Sequence, residues 1–262
     1  MLVIADANQI YSALEPNTTI DQPKLVLNQI NLNIEPGEKI AICGRTGSGK
    51  SSLISLLLKL LVPLSGTITI DGISLTEIER SALRQSIFAM PQEAVFLPDG
   101  TSFHTNLDPS GVSTLEECEA VLALVGLLPF VQERGGLTAG MDAATLSAGQ
   151  RQLMSLCRVV LRRRLRARTI GASSYNAEGG VLILDEVSSN VDQDTERVMQ
   201  DIIRAEFKHF TILAVSHRLN MVMDFDRVIV LDDGNIVEVG IPAILGREES
   251  SRFGQLVKAS GY

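Results

Sequence analysis

The sequence predicts an α/β protein with a parallel sheet and a mainly helical region inserted between its strands. A short apolar strand, "KIAIC" (residues 39–43), leads into a glycine-rich loop and an apolar helix. Two further strands, "VLILD" (181–185) and "TILAVS" (211–216), are almost continuously apolar, which is typical of central strands in a parallel sheet. Helical patterns dominate residues 93–168. Together these observations predict a strand-rich core interrupted by a helical subdomain.

The composition is that of a folded globular protein. The chain has 262 residues, of which 45% are hydrophobic and 21% charged, which suits one domain with a subdomain. Its net charge of −8 disfavours nucleic acid as a partner. The widely spaced Cys43, Cys118 and Cys157 match neither a disulfide framework nor a zinc site and indicate a reducing compartment. No signal peptide or apolar run of ~18 residues is visible, so we expect the chain itself to be soluble.

The first third of the chain reads as strand, helix and hairpin. Residues 25–34 alternate in their second half, as an edge or half-buried strand does. A helix is predicted from residue 51 to just before Pro63. The segment "TITIDGISL" (67–75) is a predicted hairpin that turns at Asp71 and Gly72.

The middle of the chain contains two predicted helices. A capping box of Ser113 and Glu116 begins the first, which stops at Gly126. The second covers residues 146–168 and ends in the basic run "LRRRLRAR". Positive charge suits the end of a helix, and two interpretations stay open for this run. It is either a solvated face or a contact with a membrane surface or a partner.

The last third returns to strands. Residues 169–180 are small and polar and are predicted to form a surface loop. The segment "RVIVLDDGNIVEVG" (227–240) is a second hairpin that turns at Asp233 and Gly234.

The glycine-rich stretch "GRTGSGKSS" can bind a phosphate chain. It matches the P-loop pattern G-x-x-x-x-G-K-[ST] and stands between an apolar strand and an apolar helix, as that motif requires. The helix N-terminus adds a favourable dipole. Lys50 would reach the β- and γ-phosphates, and the Ser51 hydroxyl would ligate Mg²⁺. The predicted phosphate-binding residues are Gly44, Arg45, Thr46, Gly47, Ser48, Gly49, Lys50, Ser51 and Ser52.

Two adjacent carboxylates end the strand "VLILD" and supply the second half of a nucleotide site. Successive strand residues point to opposite faces, so Asp185 and Glu186 need not do the same work. Asp185 is predicted to hold magnesium through water. Glu186 is predicted to polarise an attacking water.

The stretch "LSAGQ" (146–150) distinguishes among nucleotide hydrolases. Ser147 can cap the long helix that follows and leave Gly149 and the next N–H groups exposed to a phosphate. The stretch resembles the signature sequence of ATP-binding cassette (ABC) ATPases, with Ala148 in place of the usual first glycine. The resemblance implies that Ser147, Gly149 and Gln150 serve the ATP of a partner copy across a head-to-tail dimer.

The same resemblance assigns the remaining motifs. Gln92, in "AMPQEAVF", is similar to the Q-loop glutamine that senses magnesium and the attacking water. "SSNVD", ending at Asp192, resembles the D-loop, although its Asn190 departs from the usual residue. His217, in "AVSHRL", resembles the switch histidine that contacts the γ-phosphate. Tyr11 stands where the family stacks adenine, at an unusual distance before the loop; the alternative is an ordinary packing tyrosine.

The resemblance covers nearly the whole chain and is strongest to the second nucleotide-binding domain of fungal C-type, multidrug-resistance-like transporters. It implies a P-loop NTPase with a RecA-like core (residues 1–92 and 169–262), an antiparallel β subdomain and a helical subdomain (93–168). It further implies catalysis by Glu186, His217, Gln92 and Lys50 with ATP and Mg²⁺, the metal being held by Ser51, Gln92 and Asp185.

The implied setting is the cytoplasmic face of a membrane. The partners would be a second nucleotide-binding domain and transmembrane domains on the same full-length chain, with no nucleic acid. Two alternatives stay open: a soluble ABC ATPase that does not transport, and a regulatory cassette with little turnover.

Overall fold

The computed structural model describes residues 1–10, 25–171, 179–187, 191–216, 218 and 222–259. Its contacts divide the chain into two compact units, residues 1–87 with 211–262 and residues 88–210. Sheets and helices alternate along the chain, so the predicted α/β class is confirmed. The predicted division into a core and a helical subdomain at residues 93 and 168 stays a prediction.

The elements are numbered in chain order over the described residues. The strands are β1 (Leu2–Ile10), β2 (Leu25–Ile34), β3 (Lys39–Cys43), β4 (Ser65–Ile70), β5 (Ile73–Ser74), β6 (Ile87–Met90), β7 (Val181–Asp185), β8 (Thr211–Val215), β9 (Arg227–Asp232) and β10 (Asn235–Gly240). The helices are α1 (Lys50–Leu57), α2 (Arg80–Ser86), α3 (Phe103–Leu107), α4 (Leu115–Leu124), α5 (Leu128–Gln132), α6 (Ala148–Ile170), α7 (Gln193–Glu206), α8 (Pro242–Leu245) and α9 (Arg252–Ala259).

The first unit contains an antiparallel sheet in the order β2-β1-β4-β5. Its edge strand β2 buries Ile30, Leu32 and Ile34, while the asparagines between them face solvent. This alternation is the one expected when one face of a strand covers a core. The predictions of an edge or half-buried strand here, and of a hairpin that turns between β4 and β5, are both confirmed.

The second sheet of this unit runs in the order β10-β9-β3-β8. The strand β3 pairs in parallel with both β8 and β9, and its Ile40, Ala41 and Ile42 are fully buried. The predictions of an apolar strand at "KIAIC" and of a parallel-sheet strand at "TILAVS" are therefore confirmed. The antiparallel β9–β10 hairpin at the edge is confirmed as well.

The helix α1 is shorter than predicted, because it ends at Leu57 rather than just before Pro63. The chain turns at Lys59, whose φ of 56° lies in the left-handed region that ends a helix. The Lys59 ammonium then donates to the carbonyl oxygens of Thr76 and Ile78, at 3.1 and 2.6 Å. The sequence shows no local stop at this residue because the partners of Lys59 lie far along the chain.

In the second unit the helix α4 begins one residue later than predicted. Its capping box joins Thr114 and Glu117, not Ser113 and Glu116. The reason is that Ser113 is already used. Its N–H donates to Asp108 at 2.7 Å, and its Oγ lies 3.3 Å from the Cys118 sulfur. A hydroxyl held there cannot turn to cap the helix.

The basic run at the end of α6 is tied to neighbouring elements of the second unit. Arg163 and Arg164 both bond the Glu206 carboxylate of α7, at 2.7 and 2.6 Å. Arg168 pairs with Glu117 of α4 at 2.6 Å. These pairs join α6 to two of the helices that pack against it, so much of the run is structural rather than a free solvated face.

Two more arginines of this run stack on one aromatic ring. The guanidinium carbons of Arg162 and Arg166 lie 4.8 and 5.8 Å from the centre of the buried Phe88 ring. Arg166 also donates to the carbonyl oxygen of Gly179, at 2.7 Å. Burial lowers the pKa of Arg166, because it disfavours the charged guanidinium. The cation–π contacts favour that charge and hold both side chains against the Phe88 ring.

Candidate active site

The glycine-rich loop joins β3 to α1, as the sequence predicts. Gly49 takes φ 104° at the helix N-cap, and α1 begins at Lys50. The Lys50 side chain folds back across the loop, where its Nζ donates to the carbonyl oxygens of Gly44 and Arg45 at 2.8 and 3.0 Å. Lys50 is only 6% exposed, so its positive charge is held within the loop.

Close backbone contacts explain two of the loop glycines. A Cβ at Gly44 would lie 2.2 Å from the carbonyl oxygen of Leu231, at the end of β9. A Cβ at Gly49 would lie 2.9 Å from the Val26 carbonyl oxygen. The N–H of Gly234 donates to the Ser48 carbonyl oxygen at 3.2 Å. The β9–β10 turn therefore supports the back of the loop, a role that its sequence, readable only as a turn, did not reveal.

The loop residues fit a phosphate chain. No side chain caps the N-terminus of α1, and its first turn contains no acid, so the helix dipole there favours an anion. The Ser48 Oγ is buried and bonds to nothing among the described residues. Arg45, Thr46, Gly47 and Ser51 are exposed beside it. A polar, cationic cradle of this kind suits a polyphosphate.

The wall beneath the loop is chemically inert. Cys43, the residue before Gly44, is fully buried, and its thiol contacts the Ser216 carbonyl oxygen at 3.7 Å. Burial raises the pKa of Cys43 to about 12, although the Lys50 charge opposes the shift. The thiol therefore stays protonated and acts as packing.

The two predicted carboxylates lie at the end of β7 in the second unit. The first four residues of the strand are buried, whereas Asp185 and Glu186 are half-buried. Glu186 has a φ of 49°, a conformation that non-glycine residues seldom adopt. The turn breaks the strand alternation, so Glu186 is aimed independently of Asp185. Strain of this type is concentrated at functional sites.

The predicted signature stretch opens α6 through a complete capping box. The Ser147 Oγ accepts from the Gln150 N–H at 3.1 Å, and the Gln150 Oε1 accepts from the Ser147 N–H at 2.9 Å. Gly149 packs closely on the start of α7, where a Cβ would lie 3.2 Å from the Thr195 Oγ1. This leaves little room for a side chain at Gly149.

The predicted D-loop aspartate, Asp192, lies beside Gly149 at the start of α7. Asp192 caps α7 by accepting from the N–H and the hydroxyl of Thr195, at 2.9 and 2.7 Å. These bonds lower the pKa of Asp192. The structure thus brings the candidate residues Ser147, Gly149 and Asp192 together at two adjacent helix starts.

Gln92 lies in an exposed segment after β6. Its carbonyl oxygen accepts from the Gln152 side chain at 2.6 Å. Sequence reasoning missed Gln152, although a signal existed. Gln152, Leu156 and Val160 follow one another at steps of four residues, so a polar side chain occupies a core position of α6.

Other candidate residues lie outside the described part of the chain. These are Tyr11, His217 and the residues 188–190 of the predicted D-loop. Their assigned roles stay predictions.

The candidate magnesium ligands are few, which suits this ion. Ser51 is exposed at the start of α1, Asp185 ends β7 and Gln92 follows β6. Mg²⁺ keeps several waters and is usually held by one or two protein groups together with substrate phosphates. The hydroxyl, carboxylate and amide oxygens of these residues are each of a kind that binds Mg²⁺, and that they share one ion stays a prediction.

No helix within the described ranges is both long and apolar enough to span a bilayer.

Comparisons with known proteins give one answer. The profile of the family described as "ABC transporter" matches residues 27–165. The chain is 56% identical over 248 residues to "ABC-type transporter braE" of Annulohypoxylon truncatum, covering 94% of this chain and 17% of that protein. It is 51% identical over 240 residues to "ABC transporter FGM5" of Gibberella zeae, covering 90% of this chain and 16% of that protein. The chain therefore spans less than a fifth of these curated relatives.

A solved structure shares the fold. It is described as "Structure of a bacterial Atm1-family ABC exporter with ATP bound". The likeness covers 100% of this chain and 42% of that one, with a TM-score of 0.82 and 22% sequence identity. At this identity the solved structure supports only the fold of this chain. The relatives above support its family.

Proposed function

We propose, from the premise that this chain belongs to the ABC transporter family, that it is the ATP-hydrolysing cassette of an exporter and works as one half of a paired site. Members of this family bind ATP with Mg²⁺ and hydrolyse it to drive transport. The single observation that carries the proposal is a second helix start with an exposed N-cap residue, Ser147, in a chain that already has the glycine-rich loop around Lys50.

The paired site follows from the chemistry of those two helix starts. Each offers backbone N–H groups and the positive end of a helix dipole to an anion. We propose that the loop around Lys50 holds the triphosphate of its own copy, while the Ser147 turn completes the γ-phosphate site of a partner copy. Glu186 would polarise the attacking water, and catalysis would consist mainly of positioning and charge stabilisation. Binding would close the pair, and hydrolysis would open it.

The first test compares two capping boxes of the same unit. Ser147→Ala and Thr114→Ala each remove a hydroxyl that caps a helix, so each should lower the free energy of unfolding by about 1 kcal/mol. Only Ser147→Ala should also reduce ATP turnover, by about tenfold or more, because only that turn faces a phosphate. Chemical denaturation and steady-state turnover measure the two effects.

The concentration dependence supplies the control. Turnover per chain should rise with chain concentration, because each copy supplies half of a site. An equal effect of the two alanine variants on turnover, or turnover independent of concentration, would contradict the shared site.

The transporter setting has a separate test. The finer proposal is that this cassette is the second one of a C-type, multidrug-resistance-like exporter at the cytoplasmic face of a membrane. Sequencing the transcript upstream of Met1 should show segments of about 20 apolar residues in frame. Vesicles containing the whole product should then accumulate an exported compound in an ATP-dependent way. An open reading frame without such segments would favour a soluble, non-transport ATPase.

A further inference from the structure

The segment that carries Gln92 depends on α6 for its position. Residues 91–101 contain neither helix nor strand, and Gln92 itself is exposed. A segment of this kind has many conformations unless other elements hold its backbone. The second unit holds it at both ends. Its far end, residues 99–101, bonds to residues 141 and 143. The part nearest Gln92, residues 92–97, is held by α6 directly or through one buried asparagine.

The first contact is the bond from Gln152 to Gln92. The Gln152 Nε2 donates to the Gln92 carbonyl oxygen at 2.6 Å, and Gln152 is only 7% exposed. Its Oε1 is buried and bonds to nothing within the described ranges. A buried amide with one unsatisfied oxygen contributes little net stability. The one bond that Gln152 does make is directed at the main chain of Gln92.

The second contact is made by Arg158, further along α6. Its Nη1 donates to the Val95 carbonyl oxygen, and its guanidinium carbon lies 4.8 Å from the centre of the Phe96 ring. Burial lowers the pKa of Arg158. An arginine forms several directed bonds from one rigid plane, so it fixes the segment in orientation as well as in distance.

A buried asparagine completes the set. Asn106 is fully buried in α3, and its Oδ1 accepts from the Leu97 N–H at 3.0 Å. The same oxygen accepts from Arg158 Nη2 at 3.1 Å. Arg158 and Asn106 therefore hold neighbouring groups of the segment as a single network.

We propose that Gln152 and Arg158 are positioning residues that transmit the position of α6 to Gln92. The inference rests on the proposed function, in which the start of α6 contacts the partner's nucleotide and Gln92 contacts magnesium and water. The helix that begins at Ser147 is continuous through residues 152 and 158, so both contacts move with that helix start. Closing of the pair at Ser147 would then place Gln92 without a direct contact between the two.

The decisive variant is Gln152→Met. It keeps the length of the side chain and removes both the bond to Gln92 and the unsatisfied Oε1. Because Gln92 is exposed, water can hydrate its freed carbonyl oxygen, so the melting temperature should stay within about 2 °C of the wild type. We expect kcat for ATP to fall about fivefold while KM stays within about twofold, since coupling rather than nucleotide affinity is lost.

A second readout does not depend on nucleotide. Hydrogen exchange of the amides of residues 92–97, measured without ATP, should become about fivefold faster in Gln152→Met. The matched control is Arg163→Met, which removes an ion pair between α6 and Glu206, outside residues 92–97. The control should leave both the exchange and kcat unchanged.

The outcomes separate the two proposals. Wild-type exchange in Gln152→Met, or faster exchange with an unchanged kcat, would overturn the positioning role. A wild-type chain without any turnover would instead refute the proposed function, while the exchange measurement would still test the contact.

Discussion

Glu186→Gln should bind ATP as tightly as the wild type and lose about a thousandfold in turnover, because a positioned general base contributes a factor of this order. The amide keeps the size and the hydrogen-bonding reach of the carboxylate but cannot polarise a water. The direction of this side chain is set by the backbone, whose φ at this residue is 49°. Glutamine can occupy the same backbone conformation. Turnover and equilibrium ATP binding, measured on the same preparation, test both halves of the expectation.

Two comparisons make the result specific to Glu186. Glu133→Gln makes the same charge change at an exposed position of the same unit and should leave turnover unchanged. In Glu186→Gln the ATP-bound pair should accumulate, visible as a dimer in light scattering, because hydrolysis no longer opens it. Wild-type turnover in Glu186→Gln would assign water activation to another group.

Gly44→Ala should unfold more easily by about 3 kcal/mol and bind ATP at least about tenfold more weakly. A methyl group there would lie 2.2 Å from the Leu231 carbonyl oxygen and 2.7 Å from the Ser48 Oγ, so the loop must move away from β9. Its φ of 149° adds backbone strain. The displaced loop could no longer present Lys50 and the N–H groups of α1 in register. Urea unfolding and titration with a fluorescent ATP analogue measure the two losses.

Two other glycines separate crowding from strain. Gly47 has a φ of 83° and Gly72 a φ of 79°, and a Cβ at either would meet nothing within 4 Å. Alanine at each should therefore cost only about 1 kcal/mol of strain. Gly72→Ala, outside the loop, should not affect ATP binding. If Gly44→Ala proved no worse than these two variants, close packing by β9 would not be what shapes the loop.

Much of the fold follows from local patterns in the sequence. The strand β3, the loop after it and both hairpin turns were predicted because each depends on neighbouring residues: apolar runs, glycine spacing and Asp-Gly turns. The family was predicted from "LSAGQ" and the P-loop and is confirmed by the relatives. The roles of the candidate site residues stay predictions.

The missed details depend on distant partners. The start of α4 moved by one residue because Asp108 holds Ser113, and α1 stopped early because the Lys59 ammonium reaches carbonyl oxygens beyond β5. The basic run allowed two exposed interpretations, yet Glu206, Glu117 and Phe88 engage most of it. No regular spacing in the sequence indicates which residues these partners contact.

The sequence alone determined the family of this protein and predicted its phosphate-binding loop, because that loop needs glycines, a lysine and a helix start that are contiguous in the chain. Tertiary structure decided what holds those parts in place. The turn at Gly234 supports the loop, and Gln152 holds the main chain of Gln92. Such contacts join residues far apart in the chain, and their energies depend on burial and distance, which only the folded backbone sets.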